Sequence, residues 1–223
     1  LADVASVASR FTEASLREAG FAGPIVVTPY GFPVDRFHPR PQKPEGPFTV
    51  LAVGTQDLRK GTPYLLEAWR LAALKDARLR LLGPLRLTEA FLRPYAGLFE
   101  HVPRTPKALL PGAYQEADLL AFPTLGDGFG LVIQEAMCCA TPVLTTRCGG
   151  GPECITDGVD GLLVEERSTD ALVERLRWAS THRDRLHELG LAARRRAERG
   201  TWGAFGQHLV ESLGTAAQAR AVP

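Results

Sequence analysis

Short apolar runs bounded by glycine or proline recur along the chain and predict buried β-strands. The runs lie at residues 25–28, 48–53, 79–82, 119–122, 142–145 and 161–164. Patterns with helical period separate several of them, at residues 62–74, 106–116, 130–140 and 169–180. Because the runs are continuously apolar and do not alternate, both faces of the predicted sheet are expected to be covered. The alternation of strand and helix predicts an α/β fold with a doubly wound parallel sheet.

In a sheet of this kind, ligands bind beyond the carboxyl ends of the strands. The candidate loops are therefore those that follow Val53, Leu82, Phe122 and Thr145. Residues 34–47 are rich in proline and charge and predict a linker. The segment before the linker, with a predicted helix at 9–19, is too small to form a domain by itself.

The C-terminal part is predicted to be helical and basic. Its arginines are Arg175, Arg177, Arg183, Arg185, Arg194, Arg195, Arg196 and Arg199. Acidic residues interrupt this series, which favours a solvated helix face with i,i+4 ion pairs. A basic helix at a membrane surface is the alternative, so peripheral membrane contact stays open.

Composition narrows the class of protein. Hydrophobic residues make up 45% and charged residues 23% of the 223 residues, which is typical of a soluble globular protein. The net charge of +1 gives no indication of a nucleic-acid partner. The apolar runs are far shorter than the roughly 18–20 residues of a membrane span, and the expected location is cytoplasmic. Cys138 and Cys139 lack the paired spacing of a zinc site and are predicted to be buried core residues.

Residues 126–137 form a glycine-bracketed loop that runs into an apolar helix and carries two carboxylates, Asp127 and Glu135. Backbone amides of such a turn, with the helix N-terminus, bind phosphate. Asp127 would repel a phosphate, so it is predicted to accept hydrogen bonds from neutral hydroxyls. Glu135 would lie roughly 7–8 Å further along the helix. This layout fits a long ligand with hydroxyls at both ends and phosphate between them, such as a sugar nucleotide.

A second candidate anion loop spans residues 53–61, which follow a strand and open a helix. Lys60 is its candidate phosphate ligand, and an exposed lysine at a helix start is the alternative interpretation. Arg59 lies next to Lys60 and could add a second charge.

The two carboxylates and their flanking residues resemble the E-x7-E signature of retaining GT-B glycosyltransferases, group 1 or family 4. The signature reads Asp127-x7-Glu135 here, so its first acid is one methylene shorter than in the family. Further matching segments lie at residues 121–124, 136–143, 149–153 and 157–164. In register over about fifty residues, these segments make the resemblance specific.

The resemblance implies one half of a GT-B fold, a Rossmann-like donor-binding domain at residues 39–200. Residues 1–38 would be the end of an otherwise absent N-terminal acceptor domain plus the hinge, and residues 201–223 a C-terminal crossover helix. The implied activity is transfer of a sugar from a nucleoside-diphosphate sugar to an acceptor hydroxyl with retention. The expected partners are that donor and the acceptor domain, and the fragment alone is expected to be inactive.

The resemblance also implies roles for single residues. The catalytic candidates are Asp127, which would bind the donor sugar, Glu135, which would bind the ribose, and Lys60. The diphosphate-binding candidates are Arg59, Lys60, Gly128, Phe129, Gly130 and Leu131. Residues that could line the base or the rim are Thr55, Gly83, Val102, Pro103 and Gly150.

No cofactor and no metal requirement is predicted, because cationic side chains and the helix dipole can neutralise the leaving diphosphate. Thr55 stands where the family usually has an arginine. This departure and the shorter acid at Asp127 leave a non-catalytic nucleotide-sugar-binding module as one alternative. A sugar-nucleotide epimerase of the same architecture is the other, although the spacing of Asp127 and Glu135 fits it less well.

Overall fold

The structure, a computed structural model, describes residues 2–39 and 46–221. The middle of the predicted linker, residues 40–45, lies outside the described residues. Two parallel sheets are formed. The small sheet pairs β1 (Ala5–Val7) with β2 (Ile25–Val27). The strands of the large sheet are β3 (Phe48–Val53), β4 (Ala77–Leu82), β5 (Glu100–Val102), β6 (Leu119–Phe122), β7 (Val143–Thr146) and β8 (Leu162–Val164).

Helices connect the strands. They are α1 (Arg10–Glu18), α2 (Thr62–Ala72), α3 (Glu89–Leu92), α4 (Leu110–Glu116), α5 (Leu131–Cys138), α6 (Gly151–Cys154), α7 (Thr169–Thr181), α8 (Arg183–Arg199) and α9 (Trp202–Ala221). Short 3-10 turns at Arg93–Tyr95 and Lys107–Leu109 follow α3 and precede α4.

Strand order in the large sheet is β5-β4-β3-β6-β7-β8, with all neighbours parallel. The chain builds outward from β3 in one direction and from β6 in the other. A crevice is therefore expected where the loops after β3 and β6 diverge. The prediction of a doubly wound parallel α/β sheet is confirmed.

Helices cover both faces of the sheet, which explains why its strands read as continuous apolar runs. All six residues of β3 are buried. Leu51 and Val53 face the core shared with Ile133 of α5, whereas Val50 and Ala52 face the other core. Alternate residues of one strand thus enter opposite hydrophobic layers.

Several boundaries differ from the predictions. The helix predicted at 106–116 is divided into a 3-10 turn and α4, and α5 ends at Cys138. Strands β1 and β5 were not predicted, because neither is a continuous apolar run: β1 contains Ser6, and β5 carries the polar pair Glu100 and His101. Pairing with a neighbouring strand, which no local pattern reveals, defines them as strands.

The arginines of the C-terminal helices mostly bind the rest of the protein. Arg194 donates to the carbonyls of Phe37 and Cys138, at 2.9 and 2.8 Å. Arg196 donates to the Glu153 carbonyl at 2.9 Å. The prediction of i,i+4 pairs is confirmed for Arg194 with Glu198. The prediction of a solvated face is wrong for Arg194 and Arg196, because both bind other parts of the protein. Peripheral membrane contact stays a prediction.

Two of the cysteine predictions are confirmed. Cys138 and Cys139 are buried in the core. Burial raises the pKa of each thiol to about 12, so both stay protonated at neutral pH.

Two segments that connect the large-sheet part of the protein with the small sheet and α9 lie side by side, one at Phe32 and the other at residues 200–201. The Phe32 amide donates to the Gly200 carbonyl at 2.7 Å, and Phe32 forms a parallel bridge with Thr201. Next to this bridge, the ring of Tyr30 stacks on Trp202 with centroids 5.9 Å apart. Helix α9 then packs against β2. The small sheet and α9 therefore lie together on one side of the paired crossing.

Candidate functional site

The loops after β3 and β6 are joined directly by hydrogen bonds. The Arg59 carbonyl accepts from the Leu125 amide at 2.7 Å and from the Thr124 hydroxyl at 3.1 Å. The Arg59 guanidinium donates to the Gly126 carbonyl at 3.0 Å. These bonds hold the two predicted ligand loops in one fixed arrangement at the crevice.

Lys60 and Asp127 meet within this arrangement. The Lys60 Nζ contacts Asp127 Oδ2, and the two side chains are only 16% and 18% exposed. The same ammonium lies 4.8 Å from the centre of the Phe122 ring. The Lys60 amide donates to Asp57 Oδ1 at 2.9 Å, which fixes the turn that aims the side chain. The site therefore contains one balanced pair of charges, each largely removed from water.

A cavity of about 430 Å³ lies beside this ion pair. That volume is within the usual range of small-molecule sites, about 300–1,000 Å³. Strands β3 and β6, the loops that follow them and the start of α5 contribute Val53, Gly54, Lys60, Phe122, Asp127, Gly128, Phe129, Gly130, Leu131 and Val132 to its lining. The other lining residues belong to the N-terminal segment: Ser6, Val7, Ala8, Thr12 and Tyr30. The structure thus brings Lys60 and the glycine turn to one cavity, as the sequence predicts.

The backbone conformation of Gly130 and the contacts of Phe129 fix the turn at residues 128–130. Gly130 has a φ of 92°, a left-handed conformation that favours glycine, and α5 begins at the next residue. The Phe129 residue is buried in the hydrophobic core. Its amide donates to Asp127 Oδ1 at 3.4 Å, and its carbonyl accepts from the Gly150 amide at 2.7 Å. In this structure the Phe129 amide is therefore directed at Asp127.

Two hydroxyls of the N-terminal segment, which the sequence did not single out, bind the same turn. Ser9 Oγ and Thr12 Oγ1 both donate to the Gly128 carbonyl, at 2.8 and 2.9 Å. Ser9 also caps α1 by accepting from the Thr12 amide. The cap is visible in the sequence, but the contact with Gly128, more than 100 residues away, has no local signal.

Glu135 lines a second cavity, of about 350 Å³, together with Arg36 and Lys107. Leu131 borders this cavity as well as the first one. The Tyr114 hydroxyl donates to Glu135 Oε2 at 2.7 Å. The two predicted carboxylates thus lie in neighbouring cavities that both border the start of α5.

The other predicted residues lie around these cavities. Arg59 is exposed and bound to Gly126, so it does not line the first cavity. Thr55 follows Gly54 in the β3 loop and is also absent from that lining. Gly83 donates to the Val102 carbonyl at 2.9 Å, and Pro103 follows. These last three residues form the rim above β4 and β5, on the opposite side of the crevice from Gly150 after β7.

Burial raises the pKa of Glu135, and the Tyr114 hydrogen bond and the charges of Arg36 and Lys107 only partly oppose this effect. The native protein therefore binds a proton at Glu135 more tightly than the unfolded chain does. The stabilisation that Glu135 contributes is therefore fully present below pH 4.5, the ordinary pKa of glutamate. It is lost as the pH rises through the raised pKa of the native protein.

Glu135→Gln is therefore expected to raise the free energy of unfolding at pH 7, because a neutral amide is less costly to bury. The gain should shrink towards pH 4, where the wild-type carboxyl is itself neutral. Urea unfolding at both pH values measures the difference. A lower urea midpoint for the variant at pH 7 would contradict the expectation.

Within the described residues, no group of three or more histidine, cysteine or acidic side chains is arranged to hold a metal ion. Across the same residues, no helix combines the length and apolarity needed to cross a membrane.

The sequence of this chain is similar to those of known glycosyltransferases. The chain is 31% identical to a D-inositol 3-phosphate glycosyltransferase of Nocardia farcinica, over 83% of this chain and 41% of the relative. It is 30% identical to a GDP-mannose-dependent alpha-(1-6)-phosphatidylinositol monomannoside mannosyltransferase of Mycolicibacterium smegmatis, over 98% of this chain and 64% of the relative. The chain thus spans well under two thirds of the length of the first of these relatives.

Among solved structures, sucrose-phosphate synthase of Thermosynechococcus elongatus superposes with a TM-score of 0.83 at 26% identity. The superposition covers 98% of this chain and 59% of that structure. The family described as Glycosyl transferases group 1 matches residues 47–182, which contain both candidate loops and both carboxylates. The chain belongs to the group 1 glycosyl transferases.

Proposed function

We propose that this chain binds the nucleoside-diphosphate sugar of a glycosyltransferase and takes part in transferring that sugar to an acceptor hydroxyl. The contact between Lys60 and Asp127, beside a cavity lined by the turn before α5, is the observation that carries the proposal. The mannosyltransferase relative is described as GDP-mannose-dependent, which supports a donor of this class. Retention of anomeric configuration rests on the resemblance of the acidic pair.

Cleavage of the bond between the anomeric carbon and the diphosphate leaves negative charge on the diphosphate and positive charge on the sugar. Lys60 supplies a cation in a largely enclosed position, where charge interactions are strong. The N-terminus of α5 adds a partial positive charge at Gly130 and Leu131. These groups stabilise the leaving diphosphate, and the acceptor proton passes to that diphosphate or to a group of the acceptor domain.

The carboxylates orient the uncharged parts of the donor. Asp127 lies in the first cavity and accepts hydrogen bonds from the sugar, while Glu135 lies in the second and accepts from the ribose. Because both cavities border Leu131, a ligand of the proposed length can extend past the start of α5. Arg59 remains the second diphosphate candidate, and to reach the cavity its guanidinium would have to release the Gly126 carbonyl that it binds in this structure.

The donor domain comprises residues 39–200, with residues 1–38 belonging to the acceptor domain and its hinge. The partial coverage of both relatives supports an acceptor domain elsewhere in the full protein. Family membership favours a transferase over the epimerase alternative. Release of nucleoside diphosphate with and without an acceptor tests the transferase against a non-catalytic module.

Gly128→Ala gives a sharp test of binding, because a Cβ at Gly128 would meet no protein atom within 4 Å. We expect the stability to change by less than about 0.5 kcal/mol, as at an open surface position. Affinity for UDP or GDP should fall about tenfold, or ~1.4 kcal/mol, because the methyl group blocks approach of the diphosphate to the turn. Calorimetry on this chain measures both ligands.

Gly112→Ala in α4 is the matched control, because its Cβ would also meet nothing within 4 Å. The control should leave the affinity unchanged. If the wild-type chain binds none of UDP, GDP and ADP at millimolar concentration, the proposed function is wrong.

A further inference from the structure

Tyr114 is a buried polar side chain with one specific contact. It lies in α4, its residue is 0% exposed, and its hydroxyl donates to Glu135 Oε2 at 2.7 Å. Tyr114 and Glu135 are 21 residues apart, on different helices. The hydrogen bond therefore joins α4 to the helix that carries the second proposed donor contact.

The backbone and the ring of Tyr114 are each held by a further contact. The Thr141 hydroxyl donates to the Tyr114 carbonyl at 2.7 Å in a buried position. The Phe37 ring packs edge-on against Tyr114 with centroids 5.9 Å apart. These contacts hold the residue in α4 and one side of its ring, in the position where its hydroxyl reaches Glu135.

The protonation of Tyr114 fixes the direction of the bond. Burial raises the pKa of Tyr114 well above its ordinary value, so the hydroxyl keeps its proton. It donates that proton to Glu135 Oε2. Among the described residues, the other oxygen, Oε1, has no hydrogen-bond partner, and Glu135 borders the second cavity.

We propose that Tyr114 is a positioning residue, which engages Oε2 of Glu135 so that Oε1 is free to accept a hydrogen bond from a ribose hydroxyl of the donor. The inference rests on the proposed function. It adds that selection of ribose over deoxyribose depends on a tyrosine that does not itself touch the ligand. Arg36 and Lys107, which line the same cavity, keep the site compatible with an ionised carboxylate.

The test compares UDP and GDP with their 2′-deoxy and 3′-deoxy counterparts by calorimetry on the wild-type chain and on Tyr114→Phe. The wild type should prefer the ribose forms. In Tyr114→Phe the ribose forms should weaken about five- to tenfold, equivalent to about 1–1.4 kcal/mol. The deoxy form that lacks the contacted hydroxyl should be nearly unchanged, so the preference disappears.

A second readout is the pH dependence of ribose preference. The Tyr114 hydrogen bond lowers the pKa of Glu135. Removal of this hydrogen bond should raise the pKa of Glu135. The pH below which the preference for ribose is lost should therefore be higher in Tyr114→Phe than in the wild type. A purely structural loss would weaken all ligands alike and leave that pH unchanged.

Tyr95→Phe is the matched control, since the Tyr95 hydroxyl also donates to a helix glutamate, Glu67, at 3.1 Å, and Tyr95 is 8% exposed. It should leave ribose preference intact. If Tyr114→Phe does not fold, Thr141→Val, which removes the hydrogen bond to the Tyr114 carbonyl, carries the same test and should reduce the preference.

The outcomes separate the two proposals. A wild-type chain that binds no nucleoside diphosphate overturns both of them. A wild-type chain that binds these ligands, with a ribose preference that Tyr114→Phe leaves unchanged, overturns the role of Tyr114 alone. Equal weakening of ribose and deoxy ligands, with no shift in the pH profile, also overturns it.

Discussion

Lys60→Ala is expected to weaken binding of UDP or GDP by roughly 10–150-fold, while binding of the nucleoside without phosphate stays nearly constant. Loss of a charged hydrogen-bond partner costs about 1.5–3 kcal/mol, which corresponds to that range. Because the Lys60 ammonium is largely enclosed, the loss of affinity should lie near the upper end of this range. If a full-length enzyme is assayed, removal of one such stabilising group typically lowers the rate by about 10²–10³.

The variant also leaves Asp127 without its cation in a largely buried position. The uncompensated carboxylate then repels the diphosphate and reduces stability. Lys60→Ala combined with Asp127→Asn separates these effects: the double variant should regain stability and the part of the affinity lost to repulsion, but not the part that Lys60 itself supplies. Equal losses of nucleoside and diphosphate binding in Lys60→Ala would refute the proposed role of Lys60.

Gly61→Ala is expected to destabilise the protein by about 2–5 kcal/mol, the sum of a left-handed backbone penalty and a forced contact. Gly61 has a φ of 69°, and a Cβ there would lie 1.8 Å from the Pro123 carbonyl oxygen. The loops after β3 and β6 would have to separate. Lys60 is the preceding residue, so diphosphate binding should be lost together with stability.

Gly20→Ala isolates the backbone penalty, because Gly20 has a φ of 86° and open space around its Cβ position. Its expected cost is about 1–2 kcal/mol. Urea unfolding of both variants gives the contribution of the loop contact as their difference. If Gly61→Ala costs no more than Gly20→Ala, the two loops are not held as tightly as the structure indicates.

The placement of Lys60 and Asp127, 67 residues apart, at the same edge of the sheet could be predicted from the sequence, but their contact could not. Both residues follow continuous apolar strands, and parallel strands of one sheet direct their carboxyl ends to the same edge. Strand order could not be predicted, because all strands carry similar apolar runs. The order decides that the β3 and β6 loops are neighbours, whereas Val102 and Pro103 lie beyond β4.

Side-chain direction was less predictable than loop position. Arg59 and Lys60 are adjacent and both cationic, yet Lys60 faces the cavity and Arg59 binds Gly126. Ser9 and Tyr114 had no sequence signal for their roles either. Each acts through one hydrogen bond to a residue distant in the chain, so only the packed structure reveals the contact.

The paired crossing at Phe32 and Thr201 has a mechanical consequence. Two backbone segments that run side by side can act as a pivot, because a rotation there needs torsion changes at few residues. Such a swing of the small sheet with α9 would break the Ser9 and Thr12 contacts with Gly128 and widen the first cavity. Lys60 and Asp127 both lie in loops that follow strands of the large sheet, so the swing would leave their ion pair intact.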